Sequence, residues 1–253
     1  MLARQAIKRI GDELLRAGVR PGGVLLVHSS LSSLGQVPGG PETVVRGLLE
    51  ALGADGTLLL PALSYMLVTP ERPVFDVLNT PSNVGAIPEH FRTRRGTRRS
   101  IHPTHSVCAV GRLADELLTG HESDNTPCGP NSPFNRLPHH DGQILMLGCG
   151  LRPNTSMHAI EELVAPPYLF GQELVYRLLL ADGSTAAKIY RPHGFDGWRQ
   201  RYDRAESLLE GDALKRGKVL KATVHLLEAK ALWEVAPEAL RRDPLHFVER
   251  VRE

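Results

Sequence analysis

The chain has 253 residues, 42% of them hydrophobic and 23% charged, with a formal net charge of +2. That balance excludes a disordered, fibrous or disulfide-stapled chain and gives no general pull towards nucleic acid or a membrane surface, so any anion site must be local. The length suits one domain over residues 1–253, and three widely spaced cysteines, Cys108, Cys128 and Cys149, fit a reducing cytoplasm better than a disulfide framework.

The opening MLARQAIKRIGDELLRAG reads as an amphipathic helix stopped by Gly18, without the apolar core of an export signal. VLLVHSSL follows as a strand, then the turn LGQVPGG. PETVVRGLLEALG places Val44, Leu48, Leu49 and Leu52 at helical spacing, and GTLLLPAL is a second strand. Strand, loop, helix, strand is the parallel α/β unit. TPSNVGAIPEHFRTRRG reads as a helix with Ser82 as its cap, HSVCAVG as a strand and RLADELLTGH as a helix. SPFNRLPHHDGQ is a turn-rich connection, QILMLGCG a buried strand, and MHAIEELVA a helix capped by Asn154 or Thr155. ELVYRLLLADGSTAAKIYR is a hairpin around Asp182-Gly183, and GWRQRYDRAESLLEGDALKRG and ATVHLLEAKALWEVAPEALRRDPLHFVERVRE read as helical, with Asp243-Pro244 marking a turn before a last short helix. Together these elements predict an α/β fold with a mixed, mostly parallel central sheet layered with helices. The LHFVER tail and the leucine-rich final helices are compatible with internal packing or with a homodimer interface.

Four segments carry candidate chemistry. HSSLSSLG lies where a strand passes into a glycine-containing loop, a place where hydroxyls and backbone N–H groups face ligands; it is also compatible with a serine-rich turn that satisfies its own backbone. FRTRRGTRRS is the densest basic cluster, readable as a phosphate contact or as a solvated helix end. HPTHS places His102 and His105 three apart, and a third histidine from His139, His140 or His158 would complete an open zinc site for a metal-dependent hydrolase. No HExxH spacing accompanies the pair. In NTSMHAIEE the i,i+3 spacing lays Glu161 on the helix face of His158, so that the carboxylate fixes one imidazole nitrogen and leaves the other to accept a proton. Cys149, at the same strand end, reads as packing rather than as a nucleophile.

VHSSLSSLG, GTLLLPALS, FDVLNTPSNVGAIPEHFR, RSIHPTHSVCAVG, GPNSPFNRL and NTSMHAIEE, in this order and spacing, resemble the successive signatures of the aminoglycoside 3-N-acetyltransferase family, over roughly residues 5–250. The resemblance implies that family's own α/β fold, distinct from the GNAT fold, and acetyl-CoA-dependent transfer to an amine, with the 3-amino group of an aminoglycoside antibiotic as the first acceptor. It implies His158 as general base, Glu161 as its orienting partner and Thr155 near the thioester carbonyl. Ser29, Ser30, Leu31, Ser32, Gly35, His105 and Ser106 would bind coenzyme A; Asn154, Asp76 and Glu162 would line the acceptor site, with Asp124 a further acidic candidate. A thioester is already activated, so no metal is required. LRPNT stands where many relatives carry an acidic or small polar stretch, which favours keeping a non-aminoglycoside amine as a second acceptor class.

Overall fold

The computed structural model describes residues 1–251. In chain order the elements are α1 (Leu2–Arg16), β1 (Val24–Ser29), α2 (Gly40–Leu52), β2 (Thr57–Pro61), β3 (Val74–Asp76), α3 (Ala86–Thr93), β4 (Arg98–Arg99), β5 (Val107–Gly111), α4 (Ala114–Leu118), α5 (Pro133–Arg136), β6 (Gln143–Leu147), α6 (Ser156–Val164), β7 (Leu174–Leu179), β8 (Thr185–Tyr190), β9 (Trp198–Gln200), β10 (Leu214–Val219), β11 (Ala222–Glu228), α7 (Ala229–Arg242) and β12 (Val248–Arg250). Ser82 does not cap α3, whose N-cap is Gly85. Thr155 is the N-cap of α6, but the side chain that bonds its first turn belongs to Asn154, which accepts from the Ser156 N–H.

The main sheet has the order β10-β11-β6-β1-β2-β5-β4. It is mixed as expected, but its parallel part is confined to the centre: β1 runs parallel to β6 and β2, while β5, β11, β4 and β10 all pair antiparallel. Central strands are apolar on both faces because helices cover both. Leu25, Val27, Leu58, Leu60, Leu145 and Leu147 meet α1, α2 and α3, whereas Val24, Leu26, Leu59, Ile144 and Met146 meet the layer containing α6 and α7.

The helical reading of the C-terminal third fails before α7. KRGKVLKATVHLLE forms the β10–β11 hairpin, closed by a two-residue turn with Leu220 at φ 51. The period in β11 is two: Ala222, Val224 and Leu226 are buried, while Thr223 is exposed. GWRQRY gives the short strand β9 and a 3-10 helix, Tyr202–Leu208. LHFVER packs internally, because β12 pairs with β9 and Phe247 is fully buried. Two smaller sheets, β3-β7-β8 and β12-β9, flank the main one. Among the described residues no helix is long and apolar enough to cross a membrane.

This topology fixes the site. The chain leaves β1 for α2 and leaves β6 for α6, so the crevice beyond the C-terminal ends of β1 and β6 is the switch point where open parallel sheets place ligands. Met157 and Ile160, both fully buried, anchor α6 on the sheet, each contributing about 1.5–3 kcal/mol, and thereby set which face His158 presents.

Candidate active site

A cleft of about 660 Å³ opens at this switch point, lined by His105, Cys149, Thr155, His158, His193 and Tyr202 among others. A smaller cavity of about 110 Å³, lined by His28 and Ser29, shares Val84, Cys149, Pro153 and Thr155 with it.

His158 stands in the first turn of α6, and its Nδ1 lies 3.2 Å from Glu161 Oε2 and 2.9 Å from the Tyr202 hydroxyl. Glu161 is completely buried and accepts hydrogen bonds from the hydroxyls of Tyr202 and Tyr168, each at 2.7 Å. The tautomer follows. Tyr202 has one hydroxyl proton and gives it to Glu161, so towards His158 its oxygen accepts and Nδ1 carries the N–H. The lone pair of His158 is therefore on Nε2. Burial raises the affinity of both tyrosines for their protons, with Glu161 adding to the effect, so they remain donors.

Two more histidines meet His158. Its ring centroid is 5.6 Å from that of His105 and 4.8 Å from that of His193. His105 Nδ1 is 2.9 Å from Thr104 Oγ1, and His193 Nε2 is 2.7 Å from Glu162 Oε1. Burial, and after it the neighbouring imidazoles, holds His105 and His193 well below the usual histidine range, so both are neutral near pH 7. Burial likewise pushes His28 down to about 3 and the Cys149 thiol up to about 11, which keeps it out of the thiolate form and supports the packing role.

The residues expected from sequence separate into those that reach the cleft and those that do not. His158, Thr155 and His105 line the cleft, Glu161 is buried against His158, and Ser29 lines the small cavity beside it. Ser30, Ser32 and Ser33 are engaged with one another: Ser33 Oγ donates to the Gly148 carbonyl and lies 2.9 Å from Ser30 Oγ, and the Ser30 and Ser32 hydroxyls stand 3.2 Å apart. Leu31 packs on the core and Gly35, at φ 79, ends the turn with Lys221 against it. Ser106 is fully buried, donating to the Ala62 carbonyl and accepting from Arg99, so it belongs to the scaffold. Asp76 closes its own turn through Leu78, Asn79 and the Asn79 side chain. Asn154 is a buried helix cap, and Asp124 accepts from Asn131 within its loop. Glu162 faces away from the cleft, accepting from Thr126, the Cys128 N–H and His193. Burial pushes its carboxyl up to about 7.

Four of the five arginines of the basic cluster are structural: Arg92 pairs with Glu89, Arg94 with Glu42 and Arg98 with Asp115, and half-buried Arg99 donates to backbone carbonyls. His102 cannot join His105 on one ion as expected, because its Nδ1 accepts the N–H groups of Thr104 and His105. Sequence reasoning missed His193, Tyr202 and Tyr168. His193 carried a weak signal, a histidine beside glycine in a turn after β8. The tyrosines carried none, because their roles depend on folding back over α6 from distant segments.

A family model described as aminoglycoside 3-N-acetyltransferase matches residues 26–241. The chain is 33% identical over 242 residues to aminoglycoside N(3)-acetyltransferase IV of Salmonella sp, covering 93% of this chain and 87% of that protein. It is 30% identical to aminoglycoside N(3)-acetyltransferase VII of Streptomyces paromomycinus, covering 88% and 86%. Its fold is similar to the crystal structure of aminoglycoside acetyltransferase AAC(3)-IVa, a histidine-to-alanine mutant in complex with a gentamicin, with a TM-score of 0.81, 32% identity and coverage of 94% and 89%. The YokD protein from Bacillus subtilis is similar at a TM-score of 0.82, 25% identity and 94% coverage of both chains.

Proposed function

The chain belongs to the aminoglycoside 3-N-acetyltransferase family, and from that premise we propose that it transfers the acetyl group of acetyl-CoA to the 3-amino group of an aminoglycoside, conferring resistance, with both substrates bound together. The observation that carries the mechanism is the fixed tautomer of His158, whose Nδ1–H is held by Glu161 and Tyr202 while Nε2 is left with its lone pair. Acetyl-CoA supplies an acyl group already activated as a thioester. Nε2 of His158 takes the proton that the acceptor amine must lose as it bonds to the acyl carbon, and buried Glu161 stabilises the imidazolium so formed. That proton then goes to the departing coenzyme A sulfur, so His158 returns to its starting state. Thr155, which lines both the cleft and the small cavity, would donate its hydroxyl proton to the acyl oxygen. Ser29 Oγ and His28 Nε2 are buried polar atoms without partners beside that junction, and they suit a polar group of the acyl donor.

The acceptor end rests on different contacts from those expected. The residues lining the cleft include Arg152 and Arg199 and, among those described, no carboxylate. The acids that contact these arginines, Asp203 and Glu249, are ion-paired with Arg152, Arg199 and Arg201. A polycationic acceptor would exchange its ammonium groups for these arginines. The same observation favours a second reading, acetyl transfer to an amine that is not polycationic. Product mass after incubation with acetyl-CoA and aminoglycosides, against simple arylamines and aliphatic amines, separates the two.

A further inference from the structure

One nitrogen of each of His105, His158 and His193 lies within 4.8 Å of the others, and each ring is held from behind by a different group. His158 Nδ1 is tied to Glu161 and Tyr202, His193 Nε2 to Glu162, and His105 Nδ1 to Thr104. By elimination the nitrogens left for a common point are Nε2 of His158, Nε2 of His105 and Nδ1 of His193. The last is buried with no hydrogen-bond partner. Neutral imidazoles whose far nitrogens are fixed by carboxylates or hydroxyls are the arrangement that binds zinc. Three nitrogens at the corners of such a triangle lie up to about 2.8 Å from its centre, against about 2.0–2.1 Å for a Zn–N bond, so each need move by roughly 0.7 Å. His105, His158 and His193 all line the cleft, which leaves a fourth position open to solvent or substrate. The rim arginines oppose a cation only weakly, because their charge is met by Asp203 and Glu249.

We propose that His105, His158 and His193 form an inhibitory site for a divalent transition-metal ion, zinc in the first instance. The ion takes the lone pair of His158 Nε2 and so removes the base. This consequence rests on the acetyltransferase reading; the binding itself does not. Zinc is therefore an antagonist of the proposed reaction and no cofactor for it.

The test is titration of chelator-stripped protein with Zn²⁺ by calorimetry, repeated with Co²⁺, whose visible absorption reports nitrogen ligation. One ion per chain is expected, with affinity reduced at least tenfold in His105→Ala, His158→Ala and His193→Ala taken singly. Glu162→Gln, which leaves all three ligands in place, is expected to weaken binding about 10- to 100-fold. Acetyl transfer should be inhibited by zinc in the wild type, and the inhibition constant should rise at least tenfold in His193→Ala, each enzyme being compared with its own zinc-free rate. No binding at micromolar zinc, or binding that survives all three alanine variants, overturns the proposal while leaving the transferase reading intact. Binding that follows the variants in a protein without acetyl transfer supports the site and removes only its inhibitory meaning.

Discussion

Acidification from about pH 7.5 to about pH 5 should destabilise this protein, because buried histidines outweigh the carboxyl pushed up into this range, Glu162. Five histidines, His28, His102, His105, His121 and His193, are held below the usual range by burial. In the unfolded chain each takes a proton near pH 6.5. A depressed folded pKa costs nothing above pH 6.5, where both states are neutral, and its cost grows as pH falls because only the unfolded state binds the proton. For His28 at about 3 and His121 at about 4, the loss at pH 5 is about 2 kcal/mol each. Glu162 acts with the opposite sign. Its folded pKa of about 7 lies above the unfolded value of 4.5, so the fold gains stability as pH falls through 7, returning about 2 kcal/mol by pH 5. The other three histidines add to the loss, so the net change is at least about 2 kcal/mol, or a Tm lowered by at least roughly 4–8 °C in a chain of this size. Thermal melts followed by circular dichroism across this range measure it directly. His121→Gln, which removes the imidazole between Ser100 and Pro127, should flatten the dependence by about one proton. A Tm constant within about 2 °C would refute the claim that these rings are buried and neutral.

Other expectations follow from the site. His158→Ala should lower kcat by about 10²- to 10⁴-fold with little change in acetyl-CoA binding, measured by steady-state kinetics and calorimetry. Tyr202→Phe keeps the ring and removes only the hydroxyl that bridges His158 and Glu161; losing a bond to a charged group, worth about 1.5–3 kcal/mol, should lower kcat roughly ten- to a hundredfold. Cys149→Ala should stay within about threefold of wild type, because a thiol pushed up to about 11 is no nucleophile near pH 7. Asn154→Ala should cost about 1 kcal/mol of stability through the lost cap of α6, read as a shift in denaturant midpoint.

The parts of the fold legible in sequence were those governed by local pattern. The apolar runs of β1, β2 and β6 and the i,i+3 pair His158/Glu161 are consequences of period, and periods survive in sequence. The β10–β11 hairpin was hidden because its turn, Leu220-Lys221, has no Asn-Gly or Asp-Gly signal, and because leucine-rich KVLKATVHLLE also suits a helix. The site was legible where a motif carries chemistry and illegible where partners arrive from elsewhere. Tyr202 reaches His158 across 44 positions and His193 reaches Glu162 across 31. Motif membership also assigned roles too generously: Ser106 and Asn154 stand beside site residues in HPTHS and NTSMH, yet both spend their polar atoms on the scaffold.

The account turns on His158 Nε2 acting as the base for acetyl transfer. The most direct measurement is release of free thiol from acetyl-CoA with gentamicin-, kanamycin- and neomycin-type aminoglycosides, wild type against His158→Ala, with product masses determined. Thiol released in step with a singly acetylated product, and lost by at least about a hundredfold in the variant, is the predicted result. Product formed by His158→Ala within about threefold of the wild-type rate would contradict the assignment, because base catalysis contributes far more than that.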